Sequence, residues 1–132
     1  MRESRTRGCT RPPLPRSRLS APTMDERGRR IGANEAIFRE ANERIEELNQ
    51  TFATITDQLV LVCECGDGQC VEKISMSPAA YEELRGEATH FAVVPGHEIP
   101  DVEQVEERRE GYHVVKKNQG MARRIAEVTD PR

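Results

Sequence analysis

The chain of 132 residues has few aromatic side chains and no long apolar run. It contains no Trp, two Tyr and three Phe, so we expect one small domain with a modest core and no room for a large substrate-binding domain. No apolar stretch approaches the roughly 20 residues that span a bilayer, so no membrane segment is expected. The basic N-terminal region lacks the apolar core of a secretory signal, which favours a cytoplasmic protein.

Recognised catalytic motifs are also missing from the sequence. It has no glycine-rich phosphate loop, no Ser-His-Asp order and no Gly-x-Ser-x-Gly elbow. The His-x-Glu and Pro-Cys-x-x-Cys pairing of zinc deaminases is absent as well. We therefore expect a non-catalytic protein, with a zinc-dependent hydrolase or deaminase as the less favoured alternative.

Charge is distributed unevenly along the chain. Residues 1–23 carry six Arg and one Glu, a net charge of +5, together with four of the eight prolines. This composition predicts a disordered basic segment, and it makes Met24 a candidate for the true start. Residues 24–132 carry 14 basic and 22 acidic side chains, a net charge of −8. That acidity disfavours nucleic acid, which needs a basic face, and favours a protein partner for a single domain over 24–132.

Hydrophobic patterning in residues 24–132 predicts an α+β domain. Apolar residues recur at spacings of three and four over about 32–50, which predicts an amphipathic N-terminal helix that packs on a sheet. This apolar stripe consists of Ile37, Ala41, Ile45, Leu48 and Phe52. Five β-rich runs predict a small antiparallel sheet, with shorter helices at 78–85 and 122–128. The runs lie at 58–65, 71–77, 89–95, 102–108 and 112–117.

Three cysteines fall within eight residues, in the string CECGDGQC at 63–70. Cys63 and Cys65 share one face of the first hairpin strand, because side chains alternate along a strand. Gly66 and Gly68 permit a turn with positive φ that returns Cys70 to the other two, and nearby amides are expected to donate to the sulfurs. The string therefore predicts a metal knuckle in the first hairpin.

A fourth ligand is needed to complete tetrahedral zinc, and His97 is the candidate because it follows the strand at 89–95 in the run VPGHE. His90 and His113 remain alternatives. Glu64 and Glu98 are less favoured oxygen ligands beside thiolates, and a catalytic version of the site would use one of them as a base. The predicted metal site is therefore a Zn²⁺ ion held by Cys63, Cys65, Cys70 and His97.

Other uses of the three cysteines stay open. A disulfide across the turn would join Cys65 to Cys70, and packed inert thiols are a further alternative. An iron–sulfur cluster is disfavoured because it usually takes four thiolates, and Cys9 lies in the basic segment. Zinc points to a small stabilised binding or regulatory module, and a thiol/zinc redox or metal sensor is the alternative function.

Four segments together resemble a group of short, uncharacterised bacterial proteins of the actinobacterial type. The segments are FREANERI at 38–45, CECG at 63–66 with Cys70, FAVVPGHE at 91–98 and GYHVVKK at 111–117. The resemblance covers about residues 34–132 and excludes the basic segment, which supports Met24 as the start. The group has no established activity, so the resemblance supports the existence of a site without implying its purpose. The zinc anti-sigma pattern and the four-cysteine WhiB-type pattern do not match.

Overall fold

The computed structural model describes residues 23–132. Among the side chains at 51–56, it describes only that of Ile55. Apart from Thr23, the predicted disordered segment 1–23 lies outside the described residues. The α+β class is confirmed, with an N-terminal helix and five antiparallel strands. In chain order the elements are α1 (Met24–Thr56), β1 (Leu59–Val62), β2 (Lys73–Met76), α2 (Pro78–Arg85), β3 (His90–Val93), β4 (Glu103–Arg109), β5 (Tyr112–Lys117) and α3 (Met121–Val128).

The five predicted strands are present, and they divide between two sheets. β1 and β2 form the first hairpin, whereas the second sheet has the order β3-β5-β4, with all neighbours antiparallel. The two sheets meet just after β1, where the Glu64 amide donates to the Ala92 carbonyl of β3 at 2.9 Å. Residues 63–65 therefore lie along the edge of the second sheet, and this brings the first hairpin next to the end of β3.

Helix α1 begins earlier than the predicted start near residue 32. Thr23 and Glu26 form a capping box: the Glu26 amide donates to Thr23 Oγ1 at 3.0 Å, and the Thr23 amide donates to Glu26 Oε1 at 2.9 Å. The helix continues through Gly28 and Gly32 because α3 crosses it closely there. A Cβ atom on Gly32 would lie 3.0 Å from the Cβ of Ile125, so this close crossing favours glycine.

The buried face of α1 carries polar side chains beside Ile31, and the prediction that the apolar stripe packs on the sheet is wrong for two of its residues. The side chain of Phe52, which belongs to the same stripe, lies outside the described residues. Ile37 and Leu48 are 65% and 81% exposed, and of the predicted stripe Ile45 packs against the core. Buried on the opposite side of the helix are Glu35, Arg39 and Asn42. Periodicity locates an apolar stripe but does not say which face of the helix the rest of the domain covers. Here the rest of the domain covers the opposite face and supplies hydrogen-bond and ion-pair partners to its polar side chains.

Charged side chains from distant elements meet that polar face. Lys117 of β5 donates to both Glu35 and Glu103, and all three side chains are almost fully buried. Arg39 donates to the carbonyls of Ala88 at 2.6 Å and Ala126 at 2.7 Å, and its guanidinium lies over the Phe91 ring. A buried charge is tolerated only when it is paired and hydrogen-bonded, so these contacts fix how α1 sits on the domain.

Two apolar clusters form the core. The first joins the first hairpin to α2 and β5, and α2 begins as predicted, with Ser77 Oγ accepting from the Ala80 amide and Pro78 in the first turn. The second cluster lies under the second sheet and consists of Cys63, Cys65, Phe91, Val93, Val115 and Ala126. Two of the four predicted metal ligands, Cys63 and Cys65, are thus part of the wall of the core.

Candidate metal centre

The four predicted metal ligands converge in space. Cys63 and Cys65 directly follow β1, Cys70 lies in the turn before β2, and His97 lies in the loop after β3. Their sulfur and ring nitrogen atoms all lie within 4.8 Å of one another. Residues from the loops next to two sheets, at positions up to 34 apart in sequence, therefore form one cluster that is compatible with a metal ion.

The spacing within the cluster matches a tetrahedral metal. His97 Nδ1 lies 3.6 Å from the sulfur of Cys63 and 3.6 Å from that of Cys70. A tetrahedral zinc ion with Zn–S bonds of about 2.3 Å and a Zn–N bond of about 2.0–2.1 Å gives S···N separations of about 3.5–3.6 Å. These two separations are therefore those expected in a tetrahedral site, with Nδ1 as the histidine ligand.

Strand alternation and a tight turn create the cysteine part of the cluster. Cys63 and Cys65 point to one face, while Glu64 between them points to the other. In the turn, the Cys70 amide donates to the Asp67 carbonyl at 3.0 Å, and the Gln69 amide donates to the Asp67 carboxylate at 2.9 Å. These bonds close the chain on itself and return Cys70 to the other two sulfurs.

The two glycines of this turn act through space and not, as predicted, through positive φ. The glycines with positive φ are Gly96, Gly111 and Gly120 among the described residues. A Cβ on Gly66 would instead lie 2.7 Å from Cγ2 of Ile31, and one on Gly68 would lie 3.1 Å from the Asn34 side chain. The turn therefore lies against α1, and Asn34 also donates to the Gly66 carbonyl at 2.8 Å.

A braced loop positions His97. Gly96 has φ of +97°, and the His97 amide donates to the Val94 carbonyl at 2.9 Å, which closes a tight turn. The Glu98 carboxylate accepts from the Gly96 amide at 3.1 Å and also contacts Nδ1 of His113. Glu98 and His113 therefore lie outside the ligand cluster, and they support the loop that carries His97.

Glu64 and His90, which the sequence left as alternatives, also lie away from the cluster. Glu64 is fully buried on the opposite face, where Arg85 donates to it twice, at 2.8 and 3.1 Å. Asn42 and the Ala92 amide donate to the same carboxylate at 2.7 and 3.1 Å. His90 lines a separate cavity between α2 and the β4–β5 hairpin. Cys63, Cys65 and Cys70 are all free thiols, so the alternative Cys65–Cys70 disulfide is not formed.

Backbone groups hydrogen-bond to all three sulfurs, at one predicted position and at two that the sequence did not indicate. The Val94 amide donates to the Cys63 sulfur at 3.2 Å, and the Glu72 backbone hydrogen-bonds to Cys70. We expected such donors around Gly66 and Gly68, and the Asp67 backbone between them hydrogen-bonds to Cys65. Val94 and Glu72 lie outside that stretch. Because a backbone amide has no sequence signal of its own, only the approach of β3 and β2 identifies these two donors.

Hydrogen bonding within the cluster separates the pKa values of the thiols. The Cys63 thiol donates to Cys65, which lowers the pKa of Cys65 to about 5 and raises that of Cys63; burial raises the Cys63 pKa further. Burial also raises the pKa of Cys70. One thiolate therefore forms readily, whereas three thiolates this close together need a cation to balance their charge.

One side of the cluster faces a cavity of about 250 Å³. Cys65 and His97 line it, together with Gly66, Asp67, Gly96 and Ile99. Cys70 is partly exposed, whereas Cys63 and Cys65 are buried. A small solute can therefore approach the cluster from this side, while the core closes the other.

Comparison with known proteins gives no match: no family model, no curated protein and no solved structure matches this chain. The resemblance to short actinobacterial-type proteins therefore stays a prediction. Among the described helices, none is both long enough and apolar enough to cross a membrane. The function proposed below rests on the geometry of the Cys63, Cys65, Cys70 and His97 cluster.

Proposed function

We propose that this protein is a small, zinc-stabilised, non-catalytic binding or regulatory module. The single observation that carries the proposal is the placement of His97 Nδ1 at 3.6 Å from two of the three sulfurs. That separation is the S···N edge of a tetrahedral zinc site. Thiolates and an imidazole suit zinc, whereas magnesium and calcium take oxygen ligands.

Three features support a structural role for the ion. Three cysteines and one histidine fill four tetrahedral positions, and closed sites of this kind stabilise folds. The carboxylates that a catalytic version would use are engaged elsewhere, Glu64 with Arg85 and Glu98 with His113. A bound zinc would also link the first hairpin to the loop after β3, and such a cross-link adds stability that a small core lacks.

The charge of the domain bears on what the module binds. Residues 24–132 carry a net charge of −8, which repels phosphate backbones. We therefore propose a protein partner and not a nucleic acid. A bacterial cytoplasmic location is part of the same proposal, because free thiols persist in a reducing compartment.

Metal content tests this proposal. The full chain is purified anaerobically without added chelator, and zinc is measured per chain by mass spectrometry. We expect about one zinc per chain, and loss of most of it in Cys63→Ser and His97→Ala. His90→Ala is the matched control, because His90 lies outside the cluster, and it is expected to retain zinc. A wild-type chain without zinc, or equal loss in His90→Ala, would overturn the proposal.

The cavity beside Cys65 and His97 favours a second candidate, a redox-responsive zinc centre. Peroxide has access to the cluster from that side. Two thiolates would form a disulfide and give two electrons to hydrogen peroxide, which would take up two protons and become two water molecules. Zinc would then leave because it has lost two ligands. Release of zinc by mild peroxide, reversed by a thiol reductant, would support this candidate; retention of zinc while the chain stays folded would eliminate it.

A further inference from the structure

Helix α1 has an exposed apolar face opposite its buried one. Ile37, Leu48 and Ile55 are 65%, 81% and 76% exposed. They are 11 and seven residues apart, which is close to three and two helical turns, so they lie on one line along the helix. Arg39, which is buried, lies two residues after Ile37 and therefore about 200° round the helix. The body of the domain thus leaves these three side chains uncovered.

The order of residues along the face is symmetric about position 46. Ile37 and Ile55 each lie nine residues from that position, and Arg44 and Leu48 each lie two residues from it. Two identical helices that run antiparallel about a two-fold axis at position 46 would place Ile37 of each copy level with Ile55 of the other. Leu48 of each would then lie against the aliphatic part of Arg44 of the other.

Charges beside the apolar residues favour the same arrangement. Arg44 and Glu40 form an exposed ion pair at 3.6 Å, which by itself contributes little. In the antiparallel alignment, Glu47 of each copy would lie opposite position 45 of the other, next to Arg44. Two equivalent ion pairs between the copies would then form. A parallel pair would instead place Arg44 opposite Arg44, and like charges repel.

We propose that α1 is a homodimerisation helix, with a second copy of this chain seated antiparallel on the face formed by Ile37, Arg44, Leu48 and Ile55. The contact from Ile37 to Ile55 is about 27 Å long, which is short for a permanent interface. The dimer is therefore reversible and depends on concentration. The proposal is independent of the metal centre, because none of these residues contacts it.

Sedimentation equilibrium of the full, zinc-loaded chain over a range of concentrations tests the proposal. We expect a reversible monomer–dimer equilibrium, weakened at least about tenfold by Leu48→Glu. Val128→Glu is the matched control, because Val128 is 80% exposed but lies on α3, and it is expected to leave the equilibrium unchanged. Far-UV circular dichroism checks that each variant is folded.

A charge exchange tests the antiparallel geometry. Arg44→Glu and Glu47→Arg are each expected to weaken the dimer, and the double variant is expected to restore it, since each copy then again presents opposite charges to the other. A wild-type chain that stays monomeric at about 1 mM, a dimer insensitive to Leu48→Glu, or a double variant that fails to recover would each overturn the proposal.

Discussion

The buried cluster of Glu35, Glu103 and Lys117 predicts an unusual dependence of stability on pH. One ammonium group faces two carboxylates, and Oε1 of Glu35 has no hydrogen-bond partner among the described residues. Burial raises the pKa of Glu35 to about 8, although Lys117 opposes this rise. The folded environment of Glu35 therefore favours its protonated form at neutral pH.

The sign of the effect follows from linkage. In the unfolded chain Glu35 ionises near pH 4.5, whereas in the folded protein it keeps its proton up to about pH 8. Its contribution to stability is complete below pH 4.5 and is lost as the pH rises to 8. At about 1.4 kcal/mol per pKa unit, the loss across this window is on the order of 5 kcal/mol.

Glu35→Gln removes this dependence, because an amide resembles the protonated acid and does not ionise. We expect the variant to be within about 1–2 kcal/mol of the wild type at pH 5 and to become the more stable of the two by pH 8. The assay is urea unfolding of both zinc-loaded proteins, followed by circular dichroism at several pH values. Other titrating groups are common to both proteins, so the difference between them isolates Glu35.

Glu40→Gln is the matched control, since Glu40 lies on the same helix and is exposed. Its stability difference from the wild type is expected to stay constant between pH 5 and 8. If the Glu35→Gln difference also changed by less than about 1 kcal/mol, the assignment of a proton to the folded cluster would be refuted.

Three further predictions follow from single contacts. Gly66→Ala is expected to destabilise the protein by about 1–3 kcal/mol in urea unfolding, because the new Cβ would lie 2.7 Å from Cγ2 of Ile31. An unchanged unfolding midpoint would contradict this close approach. Glu98→Ala is expected to weaken zinc binding by about 10–100-fold in chelator competition, since the loop at 96–98 loses its brace; unchanged affinity would show that the brace is dispensable. Arg85→Leu is expected to reduce the free energy of unfolding by about 3–5 kcal/mol, because Glu64 stays buried without a cation, and adding Glu64→Gln should recover part of that loss.

The metal cluster could be predicted from sequence because most of its ligands are local. Cys63 and Cys65 continue the extended chain after β1, and Cys70 lies in the following turn, so alternation and chain reversal suffice to bring the side chains together. His97 required one further step, the expectation that a strand end lies beside the knuckle. The strands and short helices were also predictable, since their β-branched runs and the Ser77-Pro78 cap are local signals.

The burial of α1 could not be predicted in the same way. Glu35 and Lys117, which are in contact, are 82 residues apart, and no local pattern indicates such a pairing. An isolated charged residue on a helix is normally solvated, so the sequence gives no sign that Glu35, Arg39 and Asn42 form a buried face. Lys117 of β5 and the backbone carbonyls of Ala88 and Ala126 reverse this preference. The apolar residues Ile37 and Leu48 then face outward.

The central claim is that Cys63, Cys65, Cys70 and His97 bind one zinc ion, and X-ray absorption spectroscopy at the zinc edge tests it most directly. The measurement is made on the anaerobically purified full chain, with His97→Ala for comparison. We predict three sulfur ligands at about 2.3 Å and one nitrogen at about 2.0–2.1 Å, with the nitrogen from the protein lost in His97→Ala. A wild-type shell of nitrogen and oxygen ligands, or one that His97→Ala leaves unchanged, would contradict the claim.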